Sequence, residues 1–311
     1  MAIAARARGT SVQLAGKAET TVGTAATGNF AKLPIISFDL SASRPLVADP
    51  VLSQGYGRKP PPTYYDKLEV RGTAVVPLDT GNIDFWLNLL AGPIATAGTY
   101  TDTYTFGATP ISATFEKAFL DVSDYWLYTG VHATGFTLNF APLGTANLTI
   151  PLIGMGSAAM SGSTSAGTVT TATFAPLRLI GSTFSINASA VGNITAGTLT
   201  LDNGLDPVYT MDAATTGAPS GVDGGQMSLK GSVTARYDGN TVDGYARAGT
   251  SYPVAISIPI TGGFALSFNV GQAKFETVSP PISGPGGVEQ TINFVGEYDG
   301  SPEFFTITRT R

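Results

Sequence analysis

Cysteine is absent from this chain, and histidine occurs once, at His132. The first absence excludes a disulfide framework and thiolate metal sites. The second leaves one imidazole for any triad and rules out a multi-histidine metal centre. The run around His132 is polar and strand-like, so it reads as a satisfied surface histidine. Charge is also scarce: Asp, Glu, Lys and Arg make up 13% of the 311 residues and sum to −5, which removes the basic footprint of a nucleic-acid binder. No apolar run reaches the ~18 residues of a membrane-spanning helix. The opening "MAIAARARGTSVQLAGKAETT" has Arg6 and Arg8 without an apolar stretch behind them, unlike a signal peptide.

Signature loops are missing too. No G-x-x-x-x-G-K-[ST] or G-x-S-x-G occurs, and "GMGSAA" (154–159) precedes low-complexity residues where a dinucleotide turn needs a helix. The carboxylate pairs Asp121/Asp124 and Glu297/Asp299 have the residue types of a glycosidase, but acids at strand ends are more often turn formers.

What the chain does contain is short Thr, Val, Ile, Phe and Tyr runs separated by Gly, Pro, Asn and Asp, with 38 Gly and 20 Pro in all. That pattern specifies an all-β protein. A surface of Thr, Ser and Asn with few charges suits packing against copies of the same chain.

Periodicity divides the chain into an extended N-terminal arm (1–28), a first β domain (29–156), a Gly/Ser/Thr/Ala linker (157–173) and a second β domain (174–311). Within the first, Pro60 to Pro62 and Tyr64-Tyr65 mark a loop that no central strand tolerates. "LEVRGTAVVPL" then alternates as a strand, Asp79-Thr80 offers a helix cap, and Ile83, Trp86, Leu87 and Leu90 recur at helical spacing before Gly92-Pro93.

A second stretch, Gln226 to Ser251, echoes this unit. Gly72, Asp79 and Trp86 lie over Gly231, Asp238 and Tyr245. Asp49-Pro50-Val51 returns as Asp206-Pro207-Val208, and Thr137-Leu138-Asn139-Phe140 as Thr291-Ile292-Asn293-Phe294. The shared order predicts a tandem duplication, each domain carrying one short flanking helix.

Several segments together resemble the tail tube (major tail) proteins of long-tailed bacteriophages. They are "AETTVGTAATGNFAKLPIISFDLSASRPLVADPVL", "KLEVRGTAVVPLDTGNIDFWLNLLAG", "GTYTDTYTFG", "SATFEKAF" with "TGFTLNFAPLG", and the late "SLKGSVTARYDG" and "PPISGPGGVEQTINFVGEYDG". The resemblance implies tandem β-sandwich or barrel domains, no cofactor, no metal and no catalysis. It implies stacked rings that conduct DNA, with a doubled chain forming a pseudo-hexameric ring from a homotrimer. The implied partners are further copies, the tape measure, terminator and distal tail proteins, and DNA as non-specific cargo, with no membrane. The implied location is the virion tail, after assembly in the host cytoplasm. On this reading the arm and the loop Ala48 to Lys67 meet the neighbouring subunit or ring, through Tyr56, Arg58, Lys59, Tyr64 and Tyr65. The competing readings are a β-sandwich adhesin or baseplate module, and a carboxylate-based glycan-active enzyme.

Overall fold

The computed structural model describes residues 6–48, 59–107, 110–158, 161–211, 217–239, 241–259, 265–282 and 284–310. The chain is mainly β, with two helices, large antiparallel sheets and no closed barrel.

The first half opens with β1 (Val12–Ala18), β2 (Ala31–Lys32), β3 (Ser37–Phe38) and β4 (Ser41–Ser43). A separate two-stranded hairpin follows, β5 (Leu46–Ala48) with β6 (Thr63–Tyr65). β7 (Glu69–Pro77) leads into α1 (Ile83–Ala91), after which β8 (Thr96–Ala97) and β9 (Thr101–Thr105) form a hairpin. Then come β10 (Ala113–Phe119), β11 (Asp124–Ala133), β12 (Gly135–Phe140), β13 (Asn147–Gly154) and β14 (Gly156–Ser157). The second half contains β15 (Thr183–Ile186), β16 (Ser189–Ala190), β17 (Ile194–Asp202) and another separate hairpin, β18 (Leu205–Val208) with β19 (Gly221–Gly224). It continues through β20 (Ser228–Arg236), α2 (Thr241–Ala248), β21 (Tyr252–Pro259), β22 (Ala265–Phe275), β23 (Glu289–Glu297) and β24 (Phe305–Thr310).

One pairing order occurs in both halves. β3 and β4 pair with β7, which pairs with β13; likewise β17 pairs with β20, which pairs with β23. β1 joins β10 and β10 joins β11, as β15 joins β21 and β21 joins β22. β11 meets β14 near its middle and β13 at its end, as β22 meets β24 and then β23. The register places Gly72 opposite Leu152 in β13 and Gly231 opposite Phe294 in β23. This corrects one of the echoes above: the partner of the Thr291–Phe294 strand is β13, and Thr137–Phe140 belongs to β12, the continuation of β11. Alternation is the same in β12 and β13, so the sequence pattern does not separate them.

Pairing also joins the halves. β12 runs antiparallel to β17 from Gly135↔Asp202 to Phe140↔Gly197, and β24 runs antiparallel to β9. The apolar core follows: Phe136 packs on Phe268 and Phe305 at 5.8 Å, and Phe106 on Phe305 at 4.9 Å. One contiguous cluster of buried side chains therefore spans both halves.

Two expectations change. The N-terminal arm is a sheet strand over Val12–Ala18, held along β10 in full register. Small residues made it look unstructured, yet Leu14, Ala15 and Gly16 are buried there. A glycine fits at that point because an added Cβ would strike Phe85 and Leu33. The low-complexity linker is a strap pinned to the first half. Buried Glu116 accepts from Thr164 Oγ1 (2.6 Å) and Ser165 N (2.5 Å), and Phe30 and Ala166 sit buried together beside Ala15.

Candidate assembly surfaces

The two helices are built alike. Buried Asp79 accepts at Oδ1 from Gly81 N (2.8 Å), Asn82 N (2.9 Å) and Asn82 Nδ2 (3.0 Å), which closes the turn ahead of α1; the helix cap expected at Asp79-Thr80 falls instead on Asn82, whose side chain makes no capping bond. Asp238 Oδ1 accepts from Thr241 N at 3.0 Å, where α2 begins. Trp86 stacks on Phe115 of β10 at 5.6 Å, and Tyr245 meets Tyr252 of β21 edge-on at 4.9 Å. Each aromatic thus fixes its helix to the corresponding strand. Gly72 admits the backbone of Leu40, and Gly231 admits the ring of Phe294.

The β5–β6 hairpin projects both faces to solvent, since a two-stranded sheet standing alone has no core to cover. Leu46, Tyr64 and Tyr65 are all exposed, Lys59 is exposed beyond them, and Arg44 lies 5.5 Å over the Tyr65 ring. Tyr56 and Arg58 lie outside the described residues. The β18–β19 hairpin, unforeseen as a surface element, leans on its base. Tyr209 donates its hydroxyl to Leu68 O at 3.0 Å, and Leu68 N donates to Gly217 O at 2.8 Å. Lys67 pairs with Glu69 at 2.6 Å and lies 5.5 Å over the Tyr209 ring. Asp206-Pro207-Val208 was the available signal for this second hairpin.

The sheet running β7–β13–β12–β17–β20–β23 has one apolar face and one polar face. Val70, Ala74, Leu148, Leu138, Leu199, Leu229, Val233 and Ile292 are buried. The alternating positions carry hydroxyls and amides joined across strands: Thr137 to Thr200 at 3.2 Å, Thr198 to Ser232 at 2.9 Å and Thr234 to Thr291 at 2.8 Å. Charges on this face are mixed, with Arg71, Lys230 and Arg236 set against Glu69, Asp202, Glu289 and Glu297.

Among the described residues no group of three or more His, Asp or Glu is placed to hold a metal ion. Three of the four carboxylates considered for glycan chemistry have hydrogen-bond partners: Asp121 accepts from Arg8 N (2.8 Å), Glu297 from Ser251 Oγ (2.6 Å) and Asp299 from Gln272 Nε2 (2.9 Å). His132 is buried, contrary to the surface position expected for it. Its Nδ1 lies 3.0 Å from Gly130 O, and burial lowers its pKa from 6.5. Among the described residues no helix is long and apolar enough to cross a membrane.

A family model described as phage tail tube protein matches residues 9–296. The chain belongs to the phage tail tube protein family. No curated protein matches it. Family membership makes this a structural tail protein, and the match spans both halves, from just before β1 to the penultimate residue of β23.

Proposed function

We propose that this tail tube protein is a self-assembling, non-enzymatic ring subunit with two related halves. Three chains close a pseudo-sixfold ring, and rings stack into the conduit through which DNA leaves the virion. The observation that carries this reading is the β12–β17 ladder, which continues one sheet across two halves with the same pairing order. A unit that adds a like unit edge to edge within a chain has the means to add another between chains, and closure removes the exposed edges.

The polar face of that sheet lines the channel. Its short hydroxyl and amide side chains and balanced charge give DNA phosphates no basic wall to bind. The hairpins β5–β6 and β18–β19, with Lys59, Tyr64, Tyr65 and Tyr209, face neighbouring subunits or rings, where aromatics anchor interfaces. The tube ends meet other tail proteins, and assembly takes place in the host cytoplasm. Electron microscopy of the purified chain tests the proposal. It should show rings or hollow tubes with a six-part outline and threefold symmetry. A strictly monomeric particle at high concentration would overturn it.

A further inference from the structure

β17 is paired on both edges, with β20 on one side and β12 on the other. Its counterparts in the first half, β3 and β4, pair with β7 alone among the described residues. Ser37, Ser41 and Ser43 are exposed; Lys117 Nζ of β10 donates to Leu40 O at 3.1 Å; and Leu40, beside Gly72, is buried as Leu199 is beside Gly231. Apart from that single lysine contact, the first half offers a strand edge with no strand on it among the described residues, where β12 fills the edge in the second.

The matching strand is present as well. β12 continues β11 along β13, and β22 is the counterpart of β11. Beyond Phe275 the chain stays beside β23 without forming further ladder pairs. Glu276 N donates to Asn293 O at 2.8 Å, Asn293 Nδ2 donates to Glu276 Oε2 at 2.8 Å, and Gln290 Nε2 donates to Val278 O at 2.5 Å. No strand covers the far side of residues 276–282 among the described residues, and Val278 and Ile282 are exposed there. Pro280 and Pro281 remove two backbone donors, a device that restrains an open edge from pairing indiscriminately.

We infer that residues 276–282 of one chain pair antiparallel with β3–β4 of the next copy, in the register that β12 adopts on β17. The inference rests on the ring proposed above and adds its junction. Carrying the internal register across puts Val278 opposite Ser41, where Thr137 faces Thr200, and Glu276 opposite Ser43, where Gly135 faces Asp202. The junction between chains lacks the reinforcement of the internal one. No strand separates α2 from β21 as β8 and β9 separate α1 from β10, so nothing in the second half repeats the β9–β24 ladder. Rings should accordingly come apart into whole chains.

The absence of cysteine makes disulfide trapping a clean test. The S41C/V278C chain, oxidised after assembly, should give covalent dimers and trimers on non-reducing gels, and S43C/E276C should do the same. S41C/S279C shifts the register by one residue and turns the second thiol to the opposite face, so its yield should be at least about tenfold lower. T137C/T200C reports the internal pair and shows that the oxidation works. Mixing S41C chains with V278C chains gives a linked dimer without any doubly substituted protein. Suppose microscopy shows rings or tubes, T137C/T200C oxidises fully, and the thiols of S41C and V278C never link. That result would overturn this junction and leave the tube reading intact. The absence of both rings and cross-links would overturn both.

Discussion

Arg309, in the last strand, donates from Nη2 to Asp102 Oδ2 in β9 at 2.7 Å. A second guanidinium nitrogen meets Asp84 on α1, and the Tyr104 hydroxyl donates to Asp84 Oδ1 at 2.9 Å. The C-terminal strand of the second half is thereby tied to a helix and a strand of the first. Burial, followed by the neighbouring Asp84 charge, raises the Tyr104 pKa, so the phenol stays protonated and remains a donor.

Asp102 is 1% exposed, so Arg309→Met takes the guanidinium counter-charge away from a buried carboxylate. Arg309→Met should destabilise the chain by about 3 kcal/mol. Adding Asp102→Asn should recover part of that loss, because the buried position then carries no charge. Urea unfolding of the two single variants and the double variant measures the coupling.

Gly72 and Gly231 should respond differently to alanine. At Gly72 the new Cβ meets the Leu40 backbone, which has nowhere to go; at Gly231 it meets the Phe294 ring. Both substitutions overpack a sheet face, at about 1–3 kcal/mol. Phe294→Leu, which copies the Leu152 found opposite Gly72, should rescue Gly231→Ala measurably. Thermal unfolding decides the point, and a rescue that fails would argue against the matched register of the two halves.

His132 makes stability depend on pH. Burial is the main cause of its lowered pKa, with the Gly130 carbonyl and Glu19 acting in the opposite sense. In the unfolded chain the imidazole takes up its proton near pH 6.5, and in the folded chain only at lower pH. The contribution is therefore fully present above that value and is lost as pH falls through the folded pKa. Its slope in that window is at most about 1.4 kcal/mol per pH unit. His132→Asn should flatten the profile between those two pKa values, as denaturant titrations at a series of pH values would show.

Glu116 holds the strap over Thr164 and Ser165. Glu116→Ala should release that segment and raise cleavage between residues 161 and 170 by a broad-specificity protease, with little change elsewhere. Peptide mapping of a timed digest reads this out. Unchanged cleavage would mean that the strap's other bonds, those of Phe30 to Ala166 and Thr170 and of Tyr125 to Ser161 among them, suffice to hold it.

Much of the fold was legible because it rests on local rules. Alternation in "LEVRGTAVVPL" marked β7 and apolar spacing marked α1, while Asp79 closes the turn before the helix and the cap position is Asn82. The prolines and paired tyrosines placed an exposed element near Tyr64, now seen as the β5–β6 hairpin. Composition alone excluded disulfides and a basic nucleic-acid surface. Other features depend on which distant segments meet. The burial of His132 follows from the packing of the chain around it. The Gly/Ser/Thr segment became a strap because Glu116 and Phe30 lie beneath it. β13, not β12, proved to be the partner that matches β23, although both strands alternate equally well. Arg309 and Asp102 form one contact across most of the chain, and no local pattern encodes such a pairing. By itself the sequence determined the strands, caps and turns, whose energetics are set within a few residues. Tertiary structure decided which strand edges are filled and which stay open, because each edge is satisfied or exposed only once distant segments have paired.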